Sequence, residues 1–187
     1  MKVLGIDIGT TTISLVVLDP EQKKVWESRT ISNGTFVETA REWERIQDVN
    51  KIVEKTREAL EGLLHAYPEV SSIGLTGQMH GILYVDRAGR CISPLYTWQD
   101  GRGNVPDEQG KTLTEMVQEK TGITVFTGYG LVTHLWNQLY GEVPEEAKTE
   151  DGGNKEEAKE TEKKTIYYVT DEQQQSQYIN MFKKEGL

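Results

Sequence analysis

The sequence predicts an α/β domain built on a mixed sheet, with a β-meander at its start and flanking helices. Three observations carry that expectation. Short β-branched runs joined by tight turns open the chain, an amphipathic helical period follows, and a further strand pattern comes after the helix. In order, Val3 to Ile8 is a mostly apolar run and Gly9-Thr10-Thr11 a turn. Thr12 to Leu18 is rich in β-branched residues, Asp19 to Gln22 turns again, and Lys24 to Ile31 completes the antiparallel meander. From Asp48 the period changes: Val49, Ile52, Val53, Thr56, Ala59, Leu60, Leu63 and Leu64 recur at helical spacing, which predicts a helix to about Ala66 with Pro68 beyond its end. Val70 to Thr76 reads as a buried strand and Gly81 to Val85 as the next, before the turn Asp86 to Gly89. Helices are expected over Asp107 to Lys120 and Leu131 to Tyr140.

The 187 residues suffice for one well-cored domain. A formal charge of −9 argues against a nucleic-acid or anionic-membrane partner and leaves small molecules and proteins open. Cys91 is the only cysteine, so no disulfide can form within the chain. The strand-like start shows no leader pattern, and no window approaches membrane-spanning length, so a cytoplasmic protein is expected. Residues 1–141 read as the folded body. Glu142 to Lys164 has no aromatic residue and no Leu, Ile, Met or Phe, which predicts a disordered charged linker. Residues 165–187 carry a strand-like and a helix-like stretch with too little apolar material to fold alone.

Chemistry is suggested at three places. In Asp7-Ile8-Gly9-Thr10-Thr11-Thr12 a glycine turn lets a ligand approach the backbone, and N–H groups with the Thr10 and Thr11 hydroxyls can cradle phosphate. Asp7 can hold magnesium through water. The plainer alternative is a hairpin in which Asp7 caps its own turn. In Gly77-Gln78-Met79-His80-Gly81, Gln78 and His80 can hydrogen-bond hydroxyl groups beside the adaptable wall of Met79, or the stretch is a glycine-rich connection with a solvated histidine. In Trp98-Gln99-Asp100-Gly101-Arg102 an aromatic beside an acid and a base suits a carbohydrate, or Asp100 and Arg102 merely pair on the surface.

Taken in order, Gly5 to Thr11, Gly77 to Gly81 and Trp98 to Arg102 resemble the signatures of the FGGY carbohydrate kinases. With Thr121-Gly122 and Thr127-Gly128-Tyr129-Gly130 downstream, the likeness is to the sedoheptulokinase and xylulokinase branches over residues 1–140. That resemblance implies a ribonuclease-H-like fold of the actin and hexokinase superfamily, ATP and magnesium as cofactors, and a ketose or related sugar as substrate. It implies phosphate and magnesium at Asp7, Gly9, Thr10 and Thr11, and a sugar at Gln78, Met79, His80, Trp98, Asp100 and Arg102. The family's catalytic aspartate, in a Gly-Asp-Gln-type motif, has no counterpart here, since Asp171-Glu172-Gln173 has the wrong neighbours. The family's second domain is absent from these residues too, so the expectation is an inactive portion of a kinase. A missing second domain or a further copy of the chain would be its protein partner. A non-catalytic interaction module or the relic of a gene fusion are the alternatives. The tail from about residue 148, with Lys164 to Glu172 and Gln174 to Lys183, resembles a segment of the bacterial ninety-kilodalton heat-shock chaperones, which implies a fusion or a rearranged reading frame.

Overall fold

The computed structural model describes residues 1–147. The chain divides into two compact units, Met1–Thr149 and Glu150–Leu187, and every described residue belongs to the first. The tail at 165–187, its chaperone resemblance and most of the charged stretch lie outside the described residues.

The meander forms as expected: β1 (Lys2–Ile8), β2 (Thr12–Asp19) and β3 (Lys24–Ser32) pair antiparallel. After the two-residue strand β4 (Ile46–Gln47) comes helix α1 (Val49–Ala66), and then β5 (Val70–Gly77) pairs parallel with β1. The sheet order is β3-β2-β1-β5, so the sheet is mixed. Alternation sends Leu4 and Ile6 of β1, and Ile13, Leu15 and Val17 of β2, to one face, where they pack on Ala59 and Leu63 of α1. The two-residue strand β6 (Leu95–Tyr96) pairs with β4 in a second small sheet. Helices α2 (Leu113–Thr121) and α3 (Gly130–Leu139) form a second cluster around Leu113, Val132 and Trp136.

Asp48 caps α1, its side chain accepting from the Lys51 N–H at 3.1 Å. Asp48→Ala should therefore cost about 1 kcal/mol of stability, read as a lower urea midpoint with an unchanged slope.

Four local expectations change. Val70 to Thr76 is a strand but not a buried one: β5 is the sheet's edge, and Ile73 and Leu75 are 50% and 67% exposed because the core cluster under α1 draws its buried strand residues from β1 and β2 and reaches β5 at Val70. Gly81 to Val85 is not a regular strand but makes isolated bridges, Ile82 to Tyr96 and Val85 to Cys91. Its ladder is interrupted where the Tyr84 N–H donates to the Ser93 hydroxyl instead of a backbone carbonyl. The second helix begins at Leu113 rather than Asp107. The Asp107 carboxylate accepts from the Gln109 and Lys111 N–H groups and holds a turn, after which Thr112 and Glu115 form a capping box. Finally, Glu142 belongs to the body and not to a linker: its N–H donates to Asn137 and its carboxylate pairs with Arg41 at 2.6 Å.

Candidate functional site

The first motif makes a tight β-hairpin. The Gly9 N–H closes the turn on the Thr12 carbonyl at 2.9 Å, and the Asn33 amide clamps the Gly9 carbonyl at 2.8 Å. Asp7 and Thr11 are exposed, and the Thr10 and Thr11 N–H groups donate to nothing among the described residues. The turn thus offers two free donors and a carboxylate at one end of the sheet.

The second motif leaves β5 and returns against the hairpin, the Gln78 N–H donating to the Ile8 carbonyl at 3.1 Å. The Gln78 side chain points into the hairpin rather than away from it. Its carbonyl accepts from the Thr10 hydroxyl at 3.0 Å and its amide donates to Gln47 at 2.8 Å. Fully buried Gln47 in turn donates to the Thr10 carbonyl at 2.8 Å, which closes a ring of three hydrogen bonds. Met79 is 46% exposed. His80 takes a left-handed backbone conformation, φ +63°, and its ring stacks on Tyr129 at 4.6 Å between centroids.

The third motif alternates between surface and interior. Thr97, Asp100 and Arg102 are completely buried, while Trp98 and Gln99 face outward. The Trp98 indole N–H reaches the Thr10 hydroxyl at 2.9 Å, which ties the third motif to the first. Asp100 and Arg102 differ from both expectations for them: they pair, but in the interior, and neither presents its charge to a ligand. Asp100 accepts from the Arg102 Nε at 2.7 Å, the Arg102 N–H at 3.1 Å and the Arg45 N–H at 3.0 Å. Arg102 also reaches Asn137 and Glu44, with its guanidinium over the rings of Tyr96 and Trp136 at 4.3 and 5.1 Å. A fully enclosed guanidinium is tolerable only with this degree of pairing. From Asn137 the network continues to the Tyr84 hydroxyl at 3.1 Å and on to His134 Nδ1 at 3.0 Å. Burial pushes the Tyr84 and Tyr96 phenols above their ordinary pKa, so both stay neutral through the physiological range.

His80 and Trp98 meet on one cavity of about 660 Å³, lined also by Arg45, Gln99, Phe126, Thr127 and Tyr129. Gln78, Met79, Asp100 and Arg102 do not line it. The loop 126–130 supplies the far wall, and its two aromatic residues are the part that reasoning from the three motifs missed. The signal was an aromatic residue between glycines, Gly128-Tyr129-Gly130. This loop is fixed from behind by Thr127, which donates to the Asp100 carbonyl at 2.9 Å and accepts from the Gly103 N–H at 3.1 Å. A second cavity of about 830 Å³ adjoins through Arg45 and Gln99, is lined by the loop 36–45 and holds none of the predicted residues. Stacked and edge-on aromatic rings with a histidine, an amide and a hydroxyl make a surface suited to a polyhydroxylated ligand.

The profile of the FGGY family of carbohydrate kinases, N-terminal domain, matches residues 2–149. The chain belongs to this family. Among curated FGGY relatives, the sedoheptulokinase of Mus musculus is 33% identical over 172 residues, covering 79% of this chain and 34% of that protein. The xylulose kinase of Escherichia coli K12 is 32% identical over 143 residues, covering 73% of this chain and 28% of that one. The chain thus spans about a third of the length of the curated relatives it matches. Among solved structures, a xylulose kinase from Brucella ovis aligns with TM-score 0.61 and 25% identity over 76% of this chain and 30% of that one. A ligand-bound xylulose kinase from Lactobacillus acidophilus aligns with TM-score 0.61 and 19% identity, over 75% and 29%. These FGGY neighbours have the ribonuclease-H-like fold of the actin and hexokinase superfamily, which the resemblance implied for the mixed sheet described above.

Proposed function

We propose that this chain is the sugar-holding portion of an ATP-dependent carbohydrate kinase acting on a ketose of the xylulose or sedoheptulose type. The observation that carries this reading is the convergence of His80, Trp98 and Tyr129 on one cavity, joined through Thr10 to a hairpin with free N–H donors. The sugar lies against the rings, with His80 and Gln99 on its hydroxyls. Phosphate oxygens meet the Thr10 and Thr11 N–H groups and the Thr11 hydroxyl. Among the described residues no cluster of three or more His, Cys, Asp or Glu is arranged to hold a metal. A single exposed carboxylate, Asp7, fits a magnesium ion that keeps its waters and is shared with nucleotide phosphates. Such an ion would neutralise charge on the transferring group.

These residues hold one wall of the cleft and no Gly-Asp-Gln-type aspartate, so binding without turnover is the activity expected of the chain alone. Titration with D-xylulose should perturb the His80 and Trp98 resonances at millimolar ligand. ADP should form no faster than in controls when ATP, magnesium and the ketose are supplied. Sugar-dependent ADP formation proportional to protein would refute the second half. An unperturbed His80 at saturating ketose would refute the first.

A further inference from the structure

We infer that the Thr10 hydroxyl serves the sugar cavity rather than the phosphate, as the residue that positions Trp98 and Gln78. A threonine hydroxyl has one hydrogen to donate. Here it goes to the Gln78 carbonyl at 3.0 Å, and the oxygen accepts the Trp98 indole N–H at 2.9 Å. Trp98 is 51% exposed and its indole nitrogen has no further partner, so this bond sets the angle at which the ring forms the cavity wall. Gln78 is fixed on its other side by Gln47, whose buried amide returns to the Thr10 carbonyl and makes the arrangement a closed ring. Such mutually satisfied polar groups have one consistent set of donors and acceptors and resist rearrangement. The hairpin and the sugar cavity are thereby one rigid unit. A phosphate at the hairpin is left the free N–H groups and Thr11.

The inference rests on the proposed reading of the cavity, and the test separates the two. The chain has four tryptophans, and Trp98→Phe identifies the Trp98 indole N–H in a proton–nitrogen spectrum of the ligand-free protein. In Thr10→Val that resonance should move upfield and exchange with solvent roughly fivefold faster, as loss of one hydrogen bond allows. Thr10→Ser should restore both. In the unaltered chain, the indole proton should show a cross-relaxation peak to the Thr10 side chain, which needs no variant to fold. D-xylulose should bind Thr10→Val several-fold more weakly than the unaltered chain or Thr10→Ser. An unmoved Trp98 resonance in folded Thr10→Val, or no peak to Thr10, overturns the inference. If Trp98 responds to Thr10→Val but D-xylulose binds neither protein, the joint stands and the sugar reading falls.

Discussion

Asp100→Ala should destabilise the folded unit by about 3–5 kcal/mol, since it strands a buried guanidinium. The Asp100 carboxylate takes four hydrogen bonds, from the Arg102 N–H, Nε and Nη2 and from the Arg45 N–H. Removing it leaves Arg102 with side chains that are partly open to water, Glu44 at 3.3 Å and Glu142 at 3.6 Å, and with Asn137. The aromatic rings over the guanidinium cannot replace a carboxylate in that setting, because cation–π attraction is worth about 2 kcal/mol even when desolvated. The double variant Asp100→Ala with Arg102→Met should be less damaged than Asp100→Ala alone, since the orphaned charge is gone and the donors left without the carboxylate are two backbone N–H groups, of Arg45 and of residue 102. Urea unfolding of the single and double variants checks this. A loss under about 1 kcal/mol in Asp100→Ala, on the scale of exposed ion pairs, would mean that the pair is solvated after all.

The burial of that pair explains which parts of this protein are legible in the sequence. The meander, α1 and α3 follow from local patterns, among them alternation in Leu4 and Ile6, the change of period at Asp48, and helical spacing in Ile52, Ala59 and Leu63. Each of these is decided by neighbours within a few residues. Asp100 and Arg102 are types that belong on a surface, and nothing within the segment says otherwise. They are inside because Glu44, Asn137 and three aromatic rings arrive from distant parts of the chain. The same holds for Gln78, whose placement after a strand and between glycines suggested a free side chain. Its partners, Thr10 and Gln47, lie 68 and 31 residues away. His80 and Trp98 were legible as cavity residues because exposure is what their flanking sequence favours. The far wall of the cavity was not legible: Thr127 to Gly130 entered only as part of the family likeness, with no site role attached to Tyr129 or Phe126.

Gly128→Ala should be the more damaging of two glycine substitutions that share one backbone conformation. Gly110 and Gly128 have φ of +78° and +81°, so an L-side chain at either costs about 1–2 kcal/mol of conformational strain. Around Gly110 there is nothing within 4 Å of the added methyl, and the cost should end there. At Gly128 the methyl would be driven into the Trp98 carbonyl, closer than nonbonded atoms approach, with the rest of the Trp98 backbone behind it. A peptide group cannot swing aside as a flexible side chain can, so either the 126–130 loop or the Trp98 segment must move. The Trp98 segment is tied to Thr10 and, through Thr97 and Asp100, to the backbone of Arg45. The loop is tied at Thr127 and runs directly into α3. The expected result is a loss at least about 2 kcal/mol greater than for Gly110→Ala, in the range of overpacked sites. The cavity should go with it: separating Tyr129 from His80 removes the stacked pair, and ketose binding should vanish in Gly128→Ala while Gly110→Ala binds as the unaltered chain does. Equal unfolding midpoints for the two variants would show that the loop does not close on Trp98. The far wall of the cavity would then have to be assigned to other residues.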